Sequence, residues 1–105
     1  MRTRLMMAVA FAAGTTIALA ADHNVGQKGK VFSVSELTIK KGETVVFNND
    51  DNVTHNVLST SPGNDFNLGP QAPGESTPVT FDIAGDVQII CAIHPGMHLA
   101  LKVTN

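Results

Sequence analysis

A series of short runs in which apolar and polar residues alternate is the strongest constraint on how this chain folds. Alternation with a period of two indicates strands with one buried face, and clusters of Gly, Pro, Asn and Asp separate the runs. Alternation is seen at residues 36–40, 53–59, 76–83, 87–91 and 99–103, and residues 30–35 and 43–48 are two more candidate strands because they are rich in strand-forming residues. About seven short antiparallel strands with closely spaced turns predict an all-β chain, folded as a β-sandwich or barrel.

Two other stretches show no strand pattern. Residues 48–52 consist only of Asn and Asp, a composition that predicts a turn. Residues 60–75 are interrupted by Pro62-Gly63, Gly69-Pro70 and Pro73-Gly74, so we predict an irregular segment there. A loop of this length within a small domain is usually functional or mobile.

Residues 1–20 have the composition of a targeting segment. A basic start with Arg2 and Arg4 precedes an apolar run, and Ala18-Leu19-Ala20 matches a small-residue cleavage site, so we predict a secretory signal peptide. The apolar run is shorter than the about 20 residues that a permanent anchor needs. We therefore expect one soluble domain, residues 21–105, without a membrane span and either periplasmic or secreted. An uncleaved tether is the alternative.

The charge balance bears on the class of partner. Without Arg2 and Arg4, five Lys face nine acidic residues, a net charge of about −4. A mildly acidic chain gives no reason to expect nucleic acid binding. It suits a protein partner with a basic patch, because complementary charge raises the rate of encounter.

The chemistry of the chain is concentrated in the stretch Cys91-Ala92-Ile93-His94-Pro95-Gly96-Met97. Once residues 1–20 are set aside, Cys91 is the only Cys and Met97 the only Met. A single Cys cannot form an internal disulfide, and a free thiol in an oxidising compartment needs another explanation. A metal ion that holds the sulfur as a thiolate supplies one.

Copper is the metal that this combination indicates. Blue-copper electron-transfer sites use two His nitrogens and one Cys sulfur, with a weak axial Met. The second His is best supplied by His55, which alternates with Val53 and Val57 and is therefore expected to face inward. The predicted ligands of one copper ion are His55, Cys91, His94 and Met97.

Several motifs resemble the small single-domain cupredoxins, the group of plastocyanin, amicyanin and pseudoazurin. They are the 91–97 loop, the His55-Asn56 pair, Phe66-Asn67-Leu68-Gly69 and Ala72-Pro73-Gly74-Glu75-Ser76. The loop, with two residues between Cys and His and two between His and Met, is most similar to that of amicyanin. The resemblance implies a Greek-key β-sandwich with a type 1 copper site that carries single electrons.

The resemblance also implies roles for individual residues. Donor and acceptor redox proteins would dock near His94, and the chain would be a monomer and not an enzyme. The side chain of Asn56 would tie its strand to the Cys91 loop, and its backbone N–H would approach the sulfur. Phe66 would seal the core and Pro70 would lie near the ligands. One departure is Val87, where many relatives have an aromatic residue.

Two other functions compete with electron transfer. A protein that sequesters or delivers copper could use the same site, supplemented by His23 and His98. A Cys–His enzyme or a structural zinc protein is the other alternative, although a catalytic pair explains neither His55 nor Met97, and a closed zinc site prefers Cys, His or a carboxylate as its fourth ligand.

Two further histidines have open roles. If cleavage follows Ala20, the sequence Ala21-Asp22-His23 could form a square-planar Cu(II) or Ni(II) site, but we expect a frayed, solvated tail there. We expect His98 to face solvent, because it alternates with the inward Leu99.

Overall fold

The computed structural model describes residues 22–105, all of whose regular structure is β-strand. The nine strands are β1 (Asp22–Lys28), β2 (Val31–Phe32), β3 (Glu36–Lys40), β4 (Thr44–Asn49), β5 (His55–Ser59), β6 (Phe66–Gln71), β7 (Ser76–Thr80), β8 (Gly85–Cys91) and β9 (His98–Thr104). Within this range no helix could cross a membrane. The predicted signal peptide and its cleavage after Ala20 lie outside the described residues.

The strands form two sheets packed as a sandwich, which confirms the predicted all-β fold class. One sheet has the order β2-β1-β4-β7 and the other β3-β9-β8-β5-β6. The alternating residues of both sheets meet in one hydrophobic cluster, so the side chains predicted to point inward from the 87–91 and 99–103 runs are buried. Val87, which replaces the aromatic residue of many relatives, is fully buried there.

Aromatic packing fills the space between the sheets. Phe66 is half-buried, and its ring centroid lies 6.3 Å from that of Phe47 and 5.9 Å from that of Phe81, distances typical of favourable ring pairs. Phe47 is fully buried and Phe81 nearly so. Phe66 therefore packs against the core, as the family resemblance implied.

The prediction of purely antiparallel pairing was wrong for two pairs. β1 lies parallel to β4, and β3 lies parallel to β9. Local alternation reports that a segment is a strand with one buried face, but it carries no information about the direction of its neighbour. The remaining pairs, including β5 with β8 and β8 with β9, are antiparallel.

The predicted frayed tail is in fact strand β1. Val25 and Gln27 point inward and are fully buried, so the strand does alternate, but a polar residue occupies one of its core positions. His23 is also held, because its Nε2 lies 2.9 Å from Oε1 of Glu43.

The two stretches without alternation contain further structure. β6 crosses the segment predicted to be irregular, with a register shift against β5 between Asn56 and Leu58. A shift of this kind disturbs the period of two. The predicted turn 48–52 begins later than expected, because Asn48 and the buried Asn49 complete β4.

Strand ends fall short of the predicted ones in two other places. The 30–35 run contains only the two-residue strand β2. The 76–83 run ends as a strand at Thr80, and Ile83, predicted to point inward, is 52% exposed. The predicted number of about seven strands is therefore lower than the observed nine, chiefly because β1 and β6 were missed.

Candidate metal centre

Two strand ends and one turn meet at one pole of the sandwich and bring the predicted ligands together. β5 begins with His55, and its partner β8 ends with Cys91, two residues from His55 in the register Val57↔Cys91. β8 also pairs with β9, so the connection between them returns over the same pole and carries His94 and Met97. The sheet therefore places a strand start, a strand end and a turn around one point.

The donor atoms lie close to one another in the protein. The Nδ1 atoms of His55 and His94 are 3.0 Å apart, and the sulfur of Cys91 is 4.0 Å from the first and 3.8 Å from the second. These three residues form a candidate metal-binding group whose ligand atoms all lie within 4.8 Å of one another.

The three donors are close enough together to bind one metal ion. With bonds of about 2.0 Å to nitrogen and about 2.3 Å to sulfur, values typical of zinc, an ion would set its donors about 3.5–3.8 Å apart. The two distances from the Cys91 sulfur, 3.8 and 4.0 Å, are close to these values, whereas the two imidazole nitrogens, 3.0 Å apart, are closer together. A thiolate with two imidazoles and a nearby thioether is also the donor set that suits copper.

Met97 completes the loop as a buried residue. Its side chain is 1% exposed, and its backbone N–H donates to the carbonyl of His94 at 2.9 Å. This turn brings the Met back towards the pole immediately after the His. Cys91 is equally buried, whereas His94 is only partly buried, so the His is the member of the group that reaches the surface.

The sulfur of Cys91 accepts a backbone hydrogen bond. The N–H of Asn56 donates to it at 3.3 Å, the approach that the family resemblance implied. The side chain of Asn56, however, does not tie its strand to the Cys91 loop; its amide donates to Asn67 Oδ1 at 2.9 Å and to the carbonyl of Gly69 at 3.0 Å. It therefore joins β5 to β6, and Pro70, which pairs with Asn56, lies beside the ligand strand as expected.

Asp51 orients the buried imidazole, a role that the sequence analysis missed. Its Oδ2 lies 3.0 Å from Nε2 of the fully buried His55. A neutral imidazole that donates from Nε2 has its lone pair on Nδ1, the atom that faces Cys91 and His94. Such a carboxylate–histidine contact sets the tautomer and orientation of a metal ligand. The sequence shows that Asp51 and His55 are four residues apart, but the predicted turn at residues 48–52 already accounted for an Asp at this position.

The same contact controls the titration of the carboxyl group. The pKa of Asp51 is lowered from 3.8 to about 2, chiefly by the hydrogen bond with His55 and then by that from the Lys30 backbone N–H. Because the folded-state pKa lies below the ordinary value, this contact stabilises the fold above about pH 4, and the contribution is lost as the pH falls towards 2.

We expect a carbon-detected NMR titration of the metal-free protein to show Asp51 still ionised at pH 3. In His55→Ala, which removes the main cause, the Asp51 pKa should rise towards 3.8. An Asp51 pKa that is the same with and without the imidazole would contradict the proposed orientation of His55.

The two remaining histidines lie apart from the donor group. His98 is exposed and hydrogen-bonds Gln88, which confirms its predicted orientation to solvent. His23 is engaged with Glu43 in the sheet that contains β1. Ala21 lies outside the described residues, so the N-terminal three-residue site stays a prediction.

Comparison with known proteins identifies the family. Residues 19–104 match the profile of copper binding proteins of the plastocyanin/azurin family. The chain belongs to this family. It is 34% identical to chloroplastic plastocyanin from Hordeum vulgare over 112 residues, which cover 92% of this chain and 72% of that protein.

Solved structures agree with this membership. A purple cupredoxin from Nitrosopumilus maritimus is 26% identical and superposes with a TM-score of 0.70, over 78% of this chain and 99% of that one. Amicyanin from Paracoccus versutus is 29% identical, with a TM-score of 0.71 over 87% of each chain. The protein is a cupredoxin, and copper is its cofactor, as predicted.

Proposed function

We propose that this cupredoxin carries single electrons between redox proteins, and that His55, Cys91, His94 and Met97 would hold its copper ion. The observation that carries the proposal is the convergence of the Cys sulfur and two imidazole nitrogens within 4.8 Å on strand ends of one sheet. Membership of the copper-binding family supports the choice of metal.

The protein's contribution is to hold the donor groups in place through hydrogen bonds from outside the donor set. Copper, when bound, supplies the one-electron redox chemistry. His55 is fixed by Asp51, and the Cys91 sulfur by the Asn56 N–H. Because these groups are already oriented, little rearrangement is needed when the charge at the site changes, and this favours fast transfer. The thioether of Met97, as a weak ligand, would help to set the reduction potential.

His94 is the proposed exit for the electron. It is partly buried, and its neighbours in the loop, including Ala92, Pro95 and the half-exposed Ile93, offer an apolar surface. A small apolar surface around the ligand suits brief, weak docking of donor and acceptor proteins, as is typical of redox encounters.

The same reasoning extends to location and processing. We propose cleavage of residues 1–20, leaving a monomeric domain of residues 21–105 in the periplasm or outside the cell. The basic start, apolar run and Ala18-Leu19-Ala20 support this proposal. The low exposure of Cys91 and Met97 favours a carrier over a protein that delivers copper, because exchange requires ligands that a receiving protein can reach.

Loading the purified domain with Cu(II) tests this function directly. We expect an intense sulfur-to-copper absorption band, narrow copper hyperfine splitting in the EPR spectrum and reversible one-electron reduction. The loaded protein should also keep its copper in the presence of a competing chelator. A pale tetragonal Cu(II) spectrum would reject the type 1 site, and ready release of the ion would instead favour a delivery protein.

A further inference from the structure

Two buried glutamines connect the two sheets near the pole of the sandwich where the proposed copper ligands meet, which we call the copper pole. Gln27 on β1 is fully buried and Gln71 on β6 is 2% exposed. Nε2 of Gln27 donates to Oε1 of Gln71 at 2.7 Å, and Nε2 of Gln71 donates to the carbonyl of Phe47 on β4 at 2.9 Å. The pair, which we call the Gln27–Gln71 bridge, therefore crosses from one sheet to the other.

The bridge ends at the ligand strand. Gln71 is the residue directly opposite His55 in the pairing of β5 with β6. Its carbonyl also accepts from Nδ2 of the buried Asn49, at 2.9 Å. Asn49 in turn shapes the loop before His55, because its Nδ2 donates to the carbonyl of Val53 and its Oδ1 accepts from the N–H of Asp51, both at 2.9 Å.

This arrangement is not the simplest way to fill a core. Buried polar groups cost free energy unless every one of them is hydrogen-bonded, and Oε1 of Gln27 has no protein partner among the described residues. Apolar side chains of similar volume would avoid that cost. A role in placing the strand that carries His55 accounts for polar groups at this position.

We propose that the Gln27–Gln71 bridge is a positioning device for the copper ligand His55. The proposal rests on the proposed copper site and deepens it. β6 is an edge strand, held within its own sheet only by β5, so without the bridge the strand pair that carries His55 would lose its direct side-chain link to β1. The bridge fixes the distance between that strand pair and the opposite sheet, and so fixes the imidazole relative to Cys91.

Gln27→Met tests the bridge, because it keeps the side-chain length and removes the donor. We expect Cu(II) affinity to fall about 10-fold to 100-fold, the range seen when a group that orients a metal ligand is lost, and the EPR hyperfine splitting to change. The matched control is Val25→Ala, a buried position on the same face of β1, which destabilises the core but leaves the bridge intact. Chemical denaturation of both variants measures their stability.

The two variants together distinguish a positioning role of the bridge from a core-filling role. If Gln27→Met changes the spectrum and affinity while Val25→Ala does not, the bridge positions His55. If both variants change copper binding in proportion to their stability, the pair only fills the core and the proposal is wrong. A wild-type protein without a type 1 spectrum would reject the copper function itself, independently of either variant.

A metal-free measurement keeps the proposal testable in every case. In the apo protein we expect the His55 backbone amide to exchange its hydrogen about tenfold faster in Gln27→Met than in Val25→Ala, since local opening of β5 becomes easier. In the unaltered protein the side-chain amide protons of Gln27 should exchange at least about tenfold more slowly than those of an exposed Gln. Exchange at the exposed rate would overturn the bridge, even if Gln27→Met did not fold.

Discussion

Replacing Cys91 by Ser is expected to remove the intense sulfur-to-copper band completely. The band requires a thiolate bound to Cu(II), and residues 22–105 contain no other Cys. A serine hydroxyl is not a soft ligand, so the affinity for Cu(I) should fall by more than the 10-fold to 100-fold typical of residues that only support a ligand. Visible absorption and EPR of the Cu(II)-loaded variant measure the first effect, and competition with a Cu(I) chelator the second.

A matched control separates this effect from general damage near the site. His98→Ala removes an exposed imidazole next to Met97 that lies outside the donor group, and we expect it to keep the band and the affinity. Circular dichroism should show β-structure in both variants. Colour that persists in Cys91→Ser, or is lost in His98→Ala, would show that the ligand set is wrong.

Phe47→Ala is expected to destabilise the fold by about 3–5 kcal/mol, the usual cost of removing a buried Phe. Phe47 is fully buried and packs against Phe66, so its truncation leaves a cavity in the core. Since a domain of this size is stable by only about 5–15 kcal/mol, the loss is a large fraction of the total. Guanidinium unfolding of the metal-free protein gives the value.

Val31→Ala provides the comparison for this measurement. Val31 is 56% exposed, so its truncation should change the free energy of unfolding by less than about 0.5 kcal/mol. A loss in Phe47→Ala below about 1 kcal/mol would mean that the core around Phe66 and Phe81 collapses into the space.

The parts of the fold that sequence alone predicted are those whose period of two is undisturbed. β3, β8 and β9 alternate cleanly, and their buried faces were correctly predicted. β1 was missed because Gln27 occupies a core position, and β6 because Gly69, Pro70 and the register shift interrupt its pattern. Both exceptions involve the Gln27–Gln71 bridge or the strand that pairs with His55, the proposed ligand.

In the candidate site, too, sequence alone indicated some residues and missed others. The proposed donors could be chosen from residue type and spacing, because residues 22–105 contain one Cys and one Met. The groups that orient the donors could not be identified from residue type and spacing. Asp51 and Asn49 lie in a stretch of Asn and Asp whose composition already explained them as a turn, and only the coordinates bring the carboxylate of Asp51 to 3.0 Å from His55.

The parallel pairing of β1 with β4 decides from which side the chain enters the domain. Asp22 lies opposite Thr44, whereas Gln27, next to the copper pole, lies opposite Asn49; at about 3.3 Å per residue the entry point is roughly 17 Å farther away along the strand. A solid support coupled at Asp22 is therefore attached at the end of the strand that is farther from this pole. An electrode coupled at this end would hold the protein with His94 directed outwards, open to a freely diffusing partner.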